Sequence, residues 1–191
     1  MEWAIEYRKD SNLLKIFCNA IGFQIVWFAC AFTVNETFPF NLIWIIFATL
    51  VYIAQHIFFS NDRSSELGLI FKVATLGWVV DTLLIQNQLI YFAGAYQGYL
   101  NGTQPFWMTC LWLSLGASLN QSLGWLKKIG PWVSLVGALT GTLSYYAGQR
   151  LGVLHFTTLN AVVITSLCWG VSLPLLTLLS VDSCVQTKNQ H

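Results

Sequence analysis

The hydrophobic pattern of this chain consists of six long apolar stretches separated by short polar connectors. Each stretch contains about 20 or more residues, the length that an α-helix needs to cross the hydrocarbon core of a bilayer. The pattern predicts an all-α fold, a polytopic membrane helix bundle that forms a single integral membrane domain over residues 1–191. The six predicted transmembrane helices, numbered here as spans one to six, cover residues 13–33, 41–60, 67–92, 105–126, 131–149 and 153–181.

The composition supports a membrane environment and excludes one class of partner. Hydrophobic residues make up 55% of the chain and charged residues only 9%, whereas soluble domains carry about 25% charged residues. Because the formal net charge is only +1, the chain offers no bulk electrostatic attraction to nucleic acid. Membrane lipids are therefore the expected partners, and nucleic acid is not.

The distribution of basic residues predicts the orientation of the helices. Six spans place both termini on the same side of the membrane, and eight of the nine Lys and Arg residues fall on that side. Basic residues near the ends of spans favour the cytoplasmic side. Both termini are therefore predicted to be cytoplasmic. The eight basic residues on that side are Arg8, Lys9, Lys15, Arg63, Lys72, Lys127, Lys128 and Lys188, and the other side has only Arg150.

Span five carries a face of small residues. Ser134, Gly137, Gly141, Ser144 and Gly148 recur at intervals of three and four, which places them on one side of a helix. In a bilayer such a face lets another helix approach closely. Span five is therefore predicted to be the central packing helix of the bundle.

Asp81 is the one carboxylate inside a predicted span, and a lone charge in hydrocarbon requires a partner, a water-filled cavity or a proton. At 1.5 Å per residue, Asp81 lies about 21 Å into span three counted from Leu67, and Arg150 about 28 Å along span five. The difference of about 7 Å is within the reach of an arginine side chain. We expect Asp81 and Arg150 to form an ion pair in the outer half of the membrane. This pair either takes part in ligand binding or catalysis, or it only fixes how spans three and five pack.

Other polar and aromatic side chains near this pair are candidate site residues. Tyr145 on span five is a candidate proton donor, which makes Asp81, Arg150 and Tyr145 the catalytic candidates. The candidates for substrate binding are Trp78, Gln88, Trp112 and His155. An alternative for such residues is structural, since polar side chains bond between membrane helices and tryptophans anchor at the interface.

The sequence contains no pattern typical of a metal or cofactor site. The five cysteines show no CxxC spacing, and the three histidines are far apart. The chain also lacks GxGxxG, Walker and GxSxG motifs, which makes a self-contained nucleotide enzyme or serine hydrolase unexpected. No metal and no cofactor are therefore predicted.

Three segments resemble a bacterial membrane family catalogued as domain of unknown function 2878. They read WVVDTLLIQ (78–86), PFWMTCLWLSLGASLNQSLGWL (105–126) and LVGALTGTLSYYAGQRLG (135–152). The resemblance covers about residues 13–180, with one departure, because Gly141-Thr142 stands where the family pattern has Gly-Pro. It implies the bacterial inner membrane. Since members often neighbour genes for cyclopropane-type fatty-acid modification, it also implies a lipid context.

Three functional hypotheses follow from these patterns, and they leave open whether the protein is an enzyme. The first is a membrane protein that binds or helps modify lipid or fatty-acyl groups. The second is a small proton-coupled transporter with Asp81 as the proton carrier. The third is a non-catalytic subunit whose span-five face docks on a membrane-protein partner or on a second copy of the chain.

Overall fold

The computed structural model describes residues 2–34, 42–94 and 102–188, with side chains over 13–34, 42–94 and 102–180. Residues 35–41 and 95–101, which include most of the predicted connectors 34–40 and 93–104, lie outside the described residues. The all-helical prediction is confirmed, because the described chain consists mainly of six α-helices. These are α1 (Glu2–Val34), α2 (Leu42–Phe58), α3 (Arg63–Gln86), α4 (Phe106–Ser118), α5 (Trp132–Arg150) and α6 (Leu159–Lys188).

Within the described residues, three helical segments are long and apolar enough to cross a membrane. They are Leu13–Val34 in α1, Arg63–Gln86 in α3 and Leu159–Ser180 in α6. Helices α2 and α4 are apolar but shorter. Helix α4 has 13 residues, which corresponds to a length of about 20 Å. The apolar helices are those expected of a membrane protein.

A two-stranded ribbon replaces helix at two predicted span ends. Strand β1 (Ile90–Phe92) pairs antiparallel with β2 (Leu154–Phe156). The predicted helical end of span three at residue 92 and the predicted helical start of span six at residue 153 are therefore wrong, because both positions lie in or beside the strands. The physical reason is a left-handed residue beyond each preceding helix: Gln88 has φ 55° after α3 and Gly152 has φ 77° after α5. A right-handed helix does not continue through such a conformation.

Helix α4 ends earlier than predicted because its polar C-terminal residues find partners elsewhere. The predicted span ran to residue 126, whereas α4 ends at Ser118 and turns lead into a 3₁₀ helix over Gly124–Lys128. Asn19 Oδ1 on α1 accepts hydrogen bonds from the backbone N–H and the hydroxyl of Ser122. Side-chain bonds of this kind compete with the helical ladder and favour a turn.

The packing of the helices leaves a gap beside α5. Helix α5 packs chiefly on α6, α3 packs chiefly on α4, and α1 packs on α2 and α4. The α5–α6 contact is close because Gly137 and Gly141 face α6: a Cβ atom on Gly137 would lie 2.5 Å from the backbone oxygen of Trp169. Of the other small residues, Gly148 lies near Val153 and Leu154, Ser144 contacts α1, and Ser134 is exposed. The gap lies between α5 on one side and α1 with α4 on the other.

Candidate functional site

A buried carboxyl group joins three helices at the centre of the bundle. Asp81 on α3 is 0% exposed. Its Oδ2 accepts a hydrogen bond of 2.7 Å from the indole Nε1 of Trp112 on α4. Its Oδ1 accepts a hydrogen bond from the hydroxyl of Tyr145 on α5. Both oxygens of the carboxyl group therefore have donors from neighbouring helices.

Helix α6 completes the site with a tryptophan ring. Trp169 stacks on Trp112 with ring centroids 4.9 Å apart and an interplanar angle of 7°. The same ring meets Tyr145 edge-on, at 6.0 Å and 75°. We call Asp81, Trp112, Tyr145 and Trp169 the Asp81 cluster. Since its members come from α3, α4, α5 and α6, the cluster connects four helices.

Two glycines make room for the two indole rings. A Cβ atom on Gly77 would lie 1.9 Å from the ring of Trp112, and one on Gly141 would lie 2.2 Å from the ring of Trp169. Gly77 precedes Asp81 by four residues and Gly141 precedes Tyr145 by four, so each glycine lies one helical turn below a polar residue on the same face. The glycines therefore position the indoles against the carboxyl and hydroxyl groups.

The electrostatics of the cluster depend on neutral donors. A carboxyl group removed from water is tolerated when its oxygens are hydrogen-bonded. The indole and the phenol supply those bonds without a second formal charge. Among the residues that the structure describes, the buried Nε1 atom of Trp169 has no hydrogen-bond partner, which leaves one donor of the cluster unused.

An apolar cavity of about 520 Å³ lies beside the Asp81 cluster, in the gap between α5 and the α1–α4 pair. Trp112, Tyr145 and Trp169 form part of its wall, and most other lining residues are aliphatic or aromatic. The volume falls within the range of about 300–1,000 Å³ that is typical of small-molecule sites. A polar contact crosses the gap: Nε1 of Trp27 on α1 donates to the Ser144 hydroxyl on α5 at 3.1 Å.

The expected ion pair between Asp81 and Arg150 is wrong. Both oxygens of Asp81 are bonded to Tyr145 and Trp112, and Arg150 is exposed at the end of α5. Arg150 follows Tyr145 by five residues, which moves it about 7.5 Å along the helix and about 140° around it. The axial distance alone suggested a contact that the rotation of the helix prevents.

Of the four residues proposed to bind substrate, the structure places only Trp112 in the cluster. Trp78 is 43% exposed on α3. Gln88 lies beyond the end of that helix and is exposed. His155 is exposed in β2, opposite Tyr91. These three side chains do not meet Asp81.

Trp169 and Gly77 belong to the site but were not predicted from the sequence. A weak signal was present, because Gly77 and Asp81 share a helix face at an interval of four, as do Gly141 and Tyr145. No comparable signal marks Trp169, since its role depends on how α6 lies against α5. Among the described side chains, no group of three or more His, Cys, Asp or Glu residues could hold a metal ion.

A second polar network lies away from the cluster, where α2, α3 and the chain after α4 meet. His56 Nε2 contacts Glu66 Oε2 at 3.0 Å, and Asn120 Nδ2 donates to Glu66 Oε1 at 2.8 Å. Lys127 Nζ donates to Asn120 Oδ1 at 2.7 Å and to the backbone oxygen of Ser180 at 3.4 Å. The network connects α2, α3 and α6 through two residues that follow α4.

Together these features define a class of protein: an all-helical bundle with three helices suited to a membrane and a buried carboxyl group held by aromatic donors. Within that class, the chain belongs to the family described as "Protein of unknown function (DUF2878)", whose sequence model matches residues 16–175. The resemblance found in the sequence is confirmed. No curated protein and no solved structure matches the chain. The family description assigns no activity, so the geometry of the site carries the functional conclusion.

Proposed function

We propose that this protein binds the hydrocarbon chain of a membrane lipid or fatty acid in the apolar cavity beside the Asp81 cluster. The observation that carries the proposal is the cavity of about 520 Å³, whose wall includes the aromatic donors that hold Asp81. An apolar cleft with a few polar groups at one place is the usual form of a small-molecule site. The apolar lining suits the ligand's chain, and Tyr145 and Trp169 are suited to its polar end.

The cluster offers specific chemistry to a polar group at the end of such a chain. The Tyr145 hydroxyl donates its hydrogen to Asp81, so its oxygen remains an acceptor for a ligand hydroxyl. The unused Nε1 of Trp169 is a donor for a ligand oxygen. Asp81 orients the Tyr145 hydroxyl by accepting its hydrogen bond.

The proposal includes a topology in which all six helices span the bacterial inner membrane as a single domain with cytoplasmic termini. Three helical segments already have the length and hydropathy of spans. Lys15, Arg63, Lys72 and Lys127 belong to the side with the basic excess, and Arg150 to the other. Under the positive-inside rule, the β1–β2 ribbon and Arg150 then face outwards.

Proton-coupled transport is the second candidate function. It is favoured by the complete burial of Asp81, because an intramembrane carboxyl group is a common proton carrier. The docking hypothesis has less support, since Gly137 and Gly141 face α6 of the same chain. Proteoliposomes loaded with candidate solutes test transport: uptake that depends on a pH gradient and is lost in Asp81→Asn favours it over lipid binding.

The test of lipid binding is photo-crosslinking with a diazirine analogue of palmitate, followed by peptide mapping. We expect labels on the cavity-facing side of α1 and α5 in the wild type. Ala147→Phe places a ring in the cavity and is expected to reduce these labels several-fold. Leu139→Phe is the matched control, because Leu139 is 56% exposed on the same helix and does not line the cavity. Equal labelling in both variants would contradict the proposal.

A cellular measurement complements the crosslinking. Total lipids are compared by mass spectrometry between cells that lack the protein and cells restored with the wild type or with Asp81→Asn. A lipid species that depends on the wild type, and that Asp81→Asn does not restore, supports a lipid-linked role for the cluster. If both proteins restore the lipid species, the role of Asp81 is only structural.

A further inference from the structure

The apolar cavity opens sideways between α1 and α5. These two helices make few direct contacts, and the lining residues exposed on them are Gln24 on α1, and Thr140 and Leu143 on α5. Gln24 precedes Trp27 by three residues and Thr140 precedes Ser144 by four, and the side chains of Trp27 and Ser144 bond across the gap. The opening therefore lies one helical turn before this bond on both helices.

The opening lies near the middle of α5. At 1.5 Å per residue, Thr140 is about 12 Å from Trp132 and about 15 Å from Arg150, the first and last residues of the helix. In the proposed topology this level lies within the hydrocarbon core of the bilayer, which is about 30 Å thick. A ligand therefore enters from the lipid side, and a charge on the entering group must pass through hydrocarbon, which is costly.

The lining of the cavity does not compensate that cost. Among the described residues, none of those that line the cavity carries a formal charge. The basic residues next to the lining segments in sequence are Lys127, Lys128 and Arg150, and they lie outside the lining. Lys127 donates to the side chain of Asn120 and to the backbone oxygen of Ser180. An anionic group in the cavity therefore has no cation from the lining to pair with.

Asp81 does not serve as a counter-ion for a cation in the cavity. It is 0% exposed and is not a lining residue. Its two oxygens accept hydrogen bonds from Trp112 and Tyr145, which do line the cavity. The indole and the phenol thus separate the carboxyl group from the cavity, and a cationic group gains no direct partner there.

We infer that the cavity selects lipids whose buried end is uncharged, such as a long-chain alcohol or a fatty-acyl ester. This inference rests on the proposed function and narrows the ligand of the same site. The lining without charges and the opening at the middle of α5 both act against an ionised end, because a charge that leaves water without a partner is costly. A fatty acid is then admitted as its uncharged acid.

The experiment is a competition for photo-crosslinking to the full chain in dodecylmaltoside micelles, with a diazirine analogue of hexadecanol as the label. The competitors are hexadecanol, hexadecyl sulfate and hexadecyltrimethylammonium, which share one hydrocarbon chain and differ in the charge of the end. We expect hexadecanol to displace the label from the cavity-facing peptides of α1 and α5. Each charged competitor is expected to need a micellar concentration about ten-fold higher or more.

A lysine at the opening is expected to change this order. Gln24→Lys places an ammonium group beside the entering end, so hexadecyl sulfate should compete about ten-fold better than in the wild type. Ile25→Lys is the matched control, because Ile25 is 57% exposed on the same helix and does not line the cavity. It should keep the wild-type order. The comparison of the three competitors in the wild type needs no variant and decides the inference even where a lysine prevents folding.

The outcomes separate this inference from the proposed function. The inference is overturned if either charged competitor displaces the label as well as hexadecanol does, or if folded Gln24→Lys keeps the wild-type order. If all three compete equally and Ala147→Phe reduces the label, lipid binding stands and only the selectivity for an uncharged end fails. If the label does not reach α1 and α5, or if Ala147→Phe leaves it unchanged, the proposed function fails as well.

Discussion

The hydroxyl of Tyr145 on α5 donates a hydrogen bond to Oδ1 of Asp81 on α3. The two helices pack chiefly on other partners, α5 on α6 and α3 on α4. This bond therefore joins the two halves of the C-terminal part of the bundle at a point that is closed to solvent. The Trp112 indole completes the link from α4.

Removing the Tyr145 hydroxyl is expected to destabilise the protein. Tyr145→Phe leaves Oδ1 of a fully buried carboxyl group without its donor, which costs about 1–3 kcal/mol of unfolding free energy. Tyr146→Phe is the matched control, because the adjacent Tyr146 is 48% exposed and should change the free energy by less than about 0.5 kcal/mol. Thermal unfolding in detergent measures both, and equal stability of the two variants would show that the bond contributes nothing.

Adding one methyl group at Gly77 is expected to disrupt the cluster. The Cβ of Gly77→Ala would lie 1.9 Å from the Trp112 ring, so the ring must move away from Asp81. Such overpacking costs about 1–3 kcal/mol. Gly68→Ala on the same helix has nothing within 4 Å of its Cβ, and alanine in a helix is favoured over glycine by about 0.5–1 kcal/mol. Opposite shifts in melting temperature are therefore expected, and a shift of the same sign in both would contradict the packing argument.

The network around Glu66 is expected to contribute to stability through Asn120. Asn120→Leu removes the donor to Glu66 and the acceptor of Lys127 together. The loss of hydrogen bonds to two charged groups costs about 1–3 kcal/mol. Gln86→Leu, an exposed amide-to-leucine change on α3, serves as the control. Denaturant titration in mixed micelles measures the difference, and an unchanged midpoint for Asn120→Leu would mean that water replaces the amide.

The proposed orientation predicts which single cysteines react from outside the cell. His155 in β2 and Arg63 at the start of α3 are both exposed, on opposite sides in the six-span arrangement. A membrane-impermeant maleimide is expected to label His155→Cys in intact cells, and Arg63→Cys only after permeabilisation. The wild type, which retains its own cysteines, provides the background. The reverse pattern would contradict the proposed orientation. Labelling of both residues in intact cells would refute the odd number of spans, α3, α4 and α5, between Arg63 and His155.

The hydrophobic pattern predicted the helices well but misplaced several of their ends. Long apolar runs are a strong signal for helices in a membrane chain, so each of the six helices overlaps one predicted run, although α1, α3, α5 and α6 extend beyond its bounds. The strands Ile90–Phe92 and Leu154–Phe156 are only three residues long. Their apolar–polar–apolar alternation continues directly from apolar helices, and only the left-handed conformation at Gln88 and Gly152 separates the two.

The site was predicted in part. Asp81 and Tyr145 could be found because a carboxyl group in an apolar run is rare and a tyrosine on a small-residue helix is conspicuous. Trp169 could not be found, because its contact with Trp112 depends on the packing of α6. Arg150 was misplaced because an axial distance contains no information on rotation about the helix. Sequence spacing fixes which residues share a face, whereas the partner of that face is known only from the fold.

The two glycines beneath the indole rings change what counts as the signature of this site. Asp81, Trp112, Tyr145 and Trp169 supply the functional groups, but the rings occupy the space where side chains at Gly77 and Gly141 would begin. The arrangement is thus specified by six positions, two of which act through having no side chain. A designer who moved only the four visible residues into another helical bundle would obtain rings that cannot reach the carboxyl group.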